Sequence, residues 1–285
     1  AGTVWWDDLG VPCHSEAASA WLAGPPAAAA RAHASHKGSY GDVAVIGGEG
    51  LDARGLGMGG AARLAASAAL HGGAGRVLVA LRGGTLELDV RQPELMFRHV
   101  DALQLEQLTV VCGCGGGEAV RAALPQVLAQ APRLVLDADA LNAIASDAAL
   151  AQALADRAPK AHATVLTPHP LEAARLLGTD AASVQSHRLA AAEHLAERFQ
   201  CVVVLKGSGT VVAAPNQAPR INPTGNALLA TAGTGDVLAG LIGAYWAAGP
   251  APLDAAAEAV YAHGRAADTW PAEQTLTASA LAQRM

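Results

Sequence analysis

From Gly41 onward, short runs rich in Val, Ile and Leu alternate with alanine-rich stretches. The runs end in glycine, aspartate or a Thr-Pro pair, which predicts strands over Asp42–Ile46, Arg76–Leu81, Thr109–Cys112, Arg133–Asp137, Thr164–Leu166, Cys201–Lys206 and Thr210–Ala213. Between them, segments such as 58–71, 181–198 and 252–268 read as helices that carry Arg, His, Glu or Asp inside them. The clearest helix opens at Gly233-Thr234-Gly235-Asp236, where Val237, Leu238, Leu241, Ile242 and Tyr245 fall on one face. Strands alternating with helices predict an α/β sheet covered on both faces. In such sheets ligands bind outside the carboxyl ends of the strands, so each strand end is a candidate wall of a site.

Residues 1–36 break this pattern. They hold Trp5, Trp6 and Trp21, an Ala- and Pro-rich stretch from Ala23 to Ala34, and no clear strand. They are expected to form an arm or linker ahead of a domain spanning 37–285.

Composition changes the picture in one respect. At 52% hydrophobic and 15% charged residues the chain looks membrane-like, yet much of that hydrophobicity is alanine. No uninterrupted apolar run approaches the roughly 18–20 residues of a spanning helix, so no membrane partner is expected. The first residues show neither a basic nor an apolar leader, which makes a cytoplasmic setting the default expectation. Cys13, Cys112, Cys114 and Cys201 have no zinc-site spacing and read as reduced structural thiols. Nineteen Lys plus Arg stand against 25 Asp plus Glu, without a basic block, and nucleic acid is not an expected partner.

The chemistry concentrates in the stretch from Thr224 to Gly240. Its Gly-Thr-Gly turn lets backbone N–H groups approach an anion at a helix start, and Asp236 stands where a proton must leave an attacking hydroxyl. An isolated Gly-Asp would read as a helix cap; here the glycines and the apolar helix favour an anion hole with a base beside it. Asp137 and Asp139 could pair on a metal, although Asp139 could equally cap the helix near Ala140, and a structural or supporting role is favoured for both. His169, bracketed by Pro168 and Pro170 at a strand end, is open between turn residue and ligand contact. Gly47-Gly48-Glu49-Gly50 lacks the GxGxxG spacing and the later acidic partner of a dinucleotide-binding oxidoreductase.

The Gly-Thr-Gly-Asp turn with its apolar helix resembles the signature of ribokinase-like small-molecule kinases. Further segments resemble the NAD(P)H-hydrate dehydratases in particular: His36 to Gly48, Gly60-Ala61-Ala62-Arg63-Leu64 through Gly75, Pro93-Glu94-Leu95-Met96, Leu136 to Asn142, Leu166-Thr167-Pro168-His169-Pro170 and Leu205 to Thr210. The resemblance runs in order over about residues 36–270. It implies a three-layer α/β/α ribokinase-like fold with a central, mostly parallel sheet. It also implies an ADP- or ATP-dependent dehydratase that repairs hydrated NADH and NADPH by phosphorylating the ring hydroxyl and expelling phosphate.

By position, Lys206, Gly207, Ser208, Gly209 and Thr210 match the loop against the AMP portion of the nucleotide, with Gly233, Thr234 and Gly235 as its phosphate cradle. Asp236 matches the residue beside the substrate hydroxyl. Ala61, Gly115 and His169 match positions lining the hydrated dinucleotide, and Glu172 matches an acidic group near a magnesium ion. Relatives tend to be homotetramers, and Thr3 to Pro12 resemble the end of an epimerase half that precedes this domain in bifunctional members. The sequence departs from the family at Gly113-Cys114-Gly115-Gly116-Gly117, where Gly-Pro-Gly-Leu-Gly is usual, at Leu171 and at Ala232. The competing readings are a vitamin-precursor kinase of the same fold and a nucleotide sensor without the base.

Overall fold

Alternate residues of the apolar runs face opposite ways, so a run that is apolar throughout must be covered on both sides. In the computed structural model, which describes residues 18–26, 33–84 and 86–285, this is what happens. Val43 and Val45 point into one core while Ala44 and Ile46, their neighbours in sequence, point into the other.

The strands are β1 (Trp21–Leu22), β2 (Asp42–Gly47), β3 (Arg76–Leu81), β4 (Met96–Phe97), β5 (Thr109–Cys112), β6 (Arg133–Leu136), β7 (Ala163–Leu166), β8 (Val202–Leu205), β9 (Val211–Ala214) and β10 (Gln217–Ile221). They form one sheet in the order β1-β10-β9-β8-β7-β6-β5-β2-β3-β4. Every neighbouring pair is parallel except the two that involve β9. The helices are α1 (Leu51–Arg54), α2 (Gly59–His71), α3 (Leu124–Gln130), α4 (Asp139–Ala145), α5 (Ala148–Ala155), α6 (Pro170–Leu177), α7 (Ala181–Ser186), α8 (Arg188–Phe199), α9 (Thr234–Ala247), α10 (Pro252–Asp268) and α11 (Ala278–Ala282). Helices α3 to α8 pack on one face and α2, α9 and α10 on the other, giving the three layers expected.

Two expectations need correction. Trp21–Leu22, inside the segment read as strandless, pairs in parallel with Arg220 and Ile221 of β10. A two-residue strand held by backbone bonds such as Ala23 N–H to Ile221 O, at 2.9 Å, leaves no periodic trace in the sequence. The segment 181–198 is two helices rather than one. Asp180 caps α7, and His187, at φ −136 and ψ 50, breaks the chain before α8. The expectations for residues 1–17, including Trp5, Trp6, Cys13 and Thr3 to Pro12, lie outside the described residues.

The chain runs outward from β2 through β3 to β4, then returns to lay β5 on the other side of β2 and continues through β6, β7 and β8. The crevice between the carboxyl ends of β2 and β5 is therefore the switch point at which open α/β sheets hold ligands. There Gly48 N–H donates to Cys114 O at 3.0 Å and Glu49 N–H to Gly115 O at 2.7 Å, tying the two strand-end turns together. Among the described residues no helix is long and apolar enough to cross a membrane.

Candidate functional site

Helix α9 aims its N-terminus at these strand ends. Gly233 precedes it at φ +91, a left-handed conformation that a side chain would strain, and a Cβ there would also meet Leu64 Cδ1 at 2.6 Å. The residue ahead of the helix offers no side-chain cap; Thr234 N–H turns back to Thr231 O at 3.3 Å and Val237 N–H to Gly233 O at 3.1 Å, which leaves the N–H groups of Gly235 and Asp236 for an anion. Asp236 lies in that first turn and is partly exposed. Burial, with the like charge of Asp137 second, raises its carboxyl to about 6. A carboxylate of that basicity is a competent acceptor for a hydroxyl proton at neutral pH.

The other strand ends complete a polar cluster. Lys206, directly after β8, places its Nζ 2.7 Å from Asp137 Oδ1, directly after β6. Thr167, after β7, sets its Oγ1 2.6 Å from the same oxygen. A Cβ built on Gly235 would lie 3.5 Å from Lys206 Nζ, so the ammonium sits beside the anion-accepting turn. Burial works against the Lys206 charge, yet Asp137 and Glu172 outweigh it and raise the group above its ordinary value. Cys114 Sγ, from the turn after β5, is 3.9 Å from Asp137 Oδ2. Burial and the nearby Asp236 hold that thiol well above its usual range, so it remains protonated.

The structure brings together most of the residues singled out from sequence. Lys206 comes beside Gly235 in the turn Gly233–Asp236, Thr234 of that turn is buried with its Oγ1 on Leu229 O and Thr231 O, and Gly207, Ser208 and Gly209 form the exposed loop beyond Lys206. Thr210 Oγ1 closes that loop on Gly207 O at 2.9 Å. Ala61 and Gly115 meet at the switch point, where a Cβ on Gly115 would be 2.7 Å from the Ala61 Cβ.

His169 is exposed at the start of α6, where it acts as a cap. Its Nδ1 accepts the N–H groups of Leu171 and Glu172 at 3.1 and 3.2 Å. That bonding leaves the second nitrogen, Nε2, as the one that carries the proton. Glu172 answers by accepting His169 N–H at 2.8 Å, and its carboxylate is only 4% exposed. Its Oε2 lies 4.0 Å from Lys206 Nζ and its Oε1 3.4 Å from His169 Nε2, and Glu172 is not among the donor atoms that cluster within reach of one metal position. Asp139 caps nothing: it accepts Gly117 N–H at 2.8 Å and fixes the glycine turn, while α4 begins at Asp139 itself.

Donor atoms of Cys114, Asp137 and Asp236 lie within 4.8 Å of one another. A protonated thiol and a carboxylate already committed to an ammonium do not make a cage for a hard cation.

Sequence reasoning gave no role to Thr167 and missed Arg188. The Arg188 Nη2 reaches Leu205 O at 3.1 Å and Lys206 O at 3.3 Å, so it braces the Lys206–Thr210 loop from α8. No sequence signal marks it, since the arginine is adjacent to the loop only in space.

Comparison with known proteins accords with this arrangement. The family model described as NAD(P)H-hydrate dehydratase matches residues 43–285. An ADP-dependent (S)-NAD(P)H-hydrate dehydratase of Neisseria meningitidis serogroup B is 42% identical over 261 residues, 89% of this chain and 85% of that protein. A bifunctional NAD(P)H-hydrate repair enzyme of Escherichia coli is 42% identical over 82% of this chain, which spans only 44% of that longer protein. Among solved structures, a Bacillus subtilis ADP/ATP-dependent NAD(P)H-hydrate dehydratase co-crystallized with ATP and Mg2+ superposes with a TM-score of 0.73 at 32% identity, covering 92% of both chains. A ribokinase-like protein of Enterococcus faecalis gives 0.72 at 25% identity, covering 89% of this chain and 88% of that one.

Proposed function

The chain belongs to the NAD(P)H-hydrate dehydratase family, and from that membership we propose that it restores NADH and NADPH from their (S)-hydrates at the expense of ADP or ATP. The observation that carries this reading is Asp236, a partly exposed carboxylate raised to about 6 at the N-terminus of α9, with the Lys206 ammonium beside the same turn.

Phosphoryl transfer asks for positioning, charge neutralisation and a base. The N–H groups opening α9 and the Lys206 ammonium hold phosphate oxygens, and the loop Lys206–Thr210, braced by Arg188, holds the nucleoside end. Asp236 takes the proton of the ring hydroxyl as its oxygen attacks the terminal phosphorus and the P–O bond to the nucleotide breaks. A magnesium ion, if bound with the nucleotide, would supply further neutralising charge. The hydroxyl, now a phosphate ester, is then a good leaving group. The ring-nitrogen lone pair expels it as the C–O bond breaks, and loss of a proton from the adjacent ring carbon restores the double bond. No electron is gained or lost, so the dinucleotide is substrate and not hydride carrier. His169, whose Nε2 lies 3.4 Å from Glu172 Oε1, and the Ala61–Gly115 contact line the dinucleotide side.

Assembly as a homotetramer is the accompanying expectation by family resemblance, and a cytoplasmic setting the default one. The test is to mix the protein with hydrated NADH, magnesium and either ADP or ATP and follow reduced-nicotinamide absorbance. Recovery only when nucleotide is present supports the reading, and the nucleotide that works identifies the donor. No recovery with either nucleotide, together with phosphorylation of a hydroxymethylpyrimidine or hydroxyethylthiazole, favours the kinase alternative.

A further inference from the structure

Asp137 is 2% exposed, too enclosed to touch a substrate, yet it links the two charged groups on which the reaction depends. Its Oδ1 takes the Lys206 ammonium at 2.7 Å, with Thr167 Oγ1 2.6 Å away on the same oxygen. Its Oδ2 faces Cys114 Sγ at 3.9 Å, and donor atoms of Cys114, Asp137 and Asp236 share a space no wider than 4.8 Å. On the far side of the ammonium stands Glu172 Oε2, at 4.0 Å. A lysine side chain has four rotatable bonds, and without such a clamp its ammonium would sample solvent as readily as the anion-accepting turn.

We propose that Asp137 is a positioning residue for the reaction: it fixes the Lys206 ammonium beside Gly235 and keeps a second negative charge next to the Asp236 base. This rests on the phosphoryl-transfer reading above and extends it to a residue that resemblance did not single out. Asp137 acts through its neighbours in two ways. It holds the cation where phosphate oxygens are received, and it balances that cation so that Asp236 remains basic enough to accept a proton.

The groups that face Asp236 come from every element around it. Asp137 follows β6, Asp139 opens α4, Cys114 follows β5 and Lys206 follows β8, with Glu172 of α6 behind Lys206. His263 of α10 is buried with its Nε2 3.0 Å from Thr234 O, and burial lowers it to about 4, so it is neutral at the pH of interest. Charges of both signs therefore act on Asp236, Asp137 and Asp139 against Lys206. Removing the Asp137 charge takes away the larger of the like-charge effects and eases ionisation of Asp236; removing the Lys206 charge makes it harder.

The test is direct titration of Asp236 by 13C NMR of protein labelled at aspartate carboxyl carbons, with Asp236→Asn identifying the resonance. It needs no substrate, so its outcome is separate from whether the chain acts on hydrated NADH. In the native protein the midpoint is expected near 6. Asp137→Asn, which keeps the shape and an accepting oxygen, should lower the midpoint by about half a pH unit or more, and Lys206→Met should raise it. Asp137→Glu should return it toward the native value. In turnover, Asp137→Asn should lower kcat about ten- to a hundred-fold and move the acid limb of the pH profile in the same direction as the titration. An Asp137→Asn midpoint that stays at the native value, or moves with Lys206→Met in one direction, overturns the proposal. If Asp137→Asn does not fold, Lys206→Met decides alone, and an unmoved or lowered midpoint overturns it. Failure of the functional reading shows separately, as native protein that restores no reduced nicotinamide.

Discussion

The Asp236 carboxyl, raised to about 6 chiefly by burial, has two measurable consequences. As a base it works when ionised, so kcat should fall on the acid side with a midpoint near 6 and level off above pH 7. Asp236→Asn should lower kcat by about 10²–10⁴ while calorimetry shows nucleotide binding largely spared. The same shift bears on stability with a definite sign. A carboxyl that binds its proton more tightly folded than unfolded destabilises the fold as pH rises from its ordinary value of 3.8 through 6. Asp236→Asn should therefore be more stable than the native protein by about 1–3 kcal/mol at pH 8, and this advantage should vanish near pH 3.5. Denaturant titrations at the two pH values check it; an equal difference at both would remove burial of the charge as the cause. Asp236 was legible because glycines and an apolar helix frame it in sequence. Asp137 was legible only as a strand-end aspartate, since its partners Thr167 and Lys206 join it from other strands.

At the scale of elements, the strands were read closely because all-apolar β-branched runs in a doubly covered sheet have no polar face to blur them. The prediction of Thr109–Cys112 coincides with β5, and that of Arg133–Asp137 overshoots β6 by Asp137 itself. β1, β4 and the break at His187 were not legible: the first two are too short for a period, and the third is a single residue at φ −136 and ψ 50 between two helices that share one apolar pattern. The position of α9 depends on close contact with α2, where a Cβ on Gly240 would fall 1.9 Å from Ala65 O. Gly240→Ala must push the helices apart, which should cost about 1–3 kcal/mol by chemical denaturation and lower kcat more than it changes the nucleotide Kd. A variant as stable and active as the native protein would show that the spacing of α2 and α9 does not set the site.

For the whole molecule, the alternation of strand and helix fixed the fold class, while the strand order and its switch point between β2 and β5 emerge only in three dimensions. That order gathers residues from across the chain, Ala61 to Asp236, at one edge of the sheet. It gives the protein an anion-accepting helix start, a clamped ammonium and a tuned carboxylate, and leaves water removal to chemistry on the nucleotide's phosphoryl group. The most direct measurement of that claim follows the hydroxyl oxygen. Hydrated NADH carrying 18O in its ring hydroxyl is turned over with magnesium and nucleotide, and the released phosphate is analysed by mass spectrometry. Phosphorylation followed by C–O cleavage puts the label in the phosphate, one 18O for each NADH restored. Label recovered in water, with unlabelled phosphate, would contradict the account.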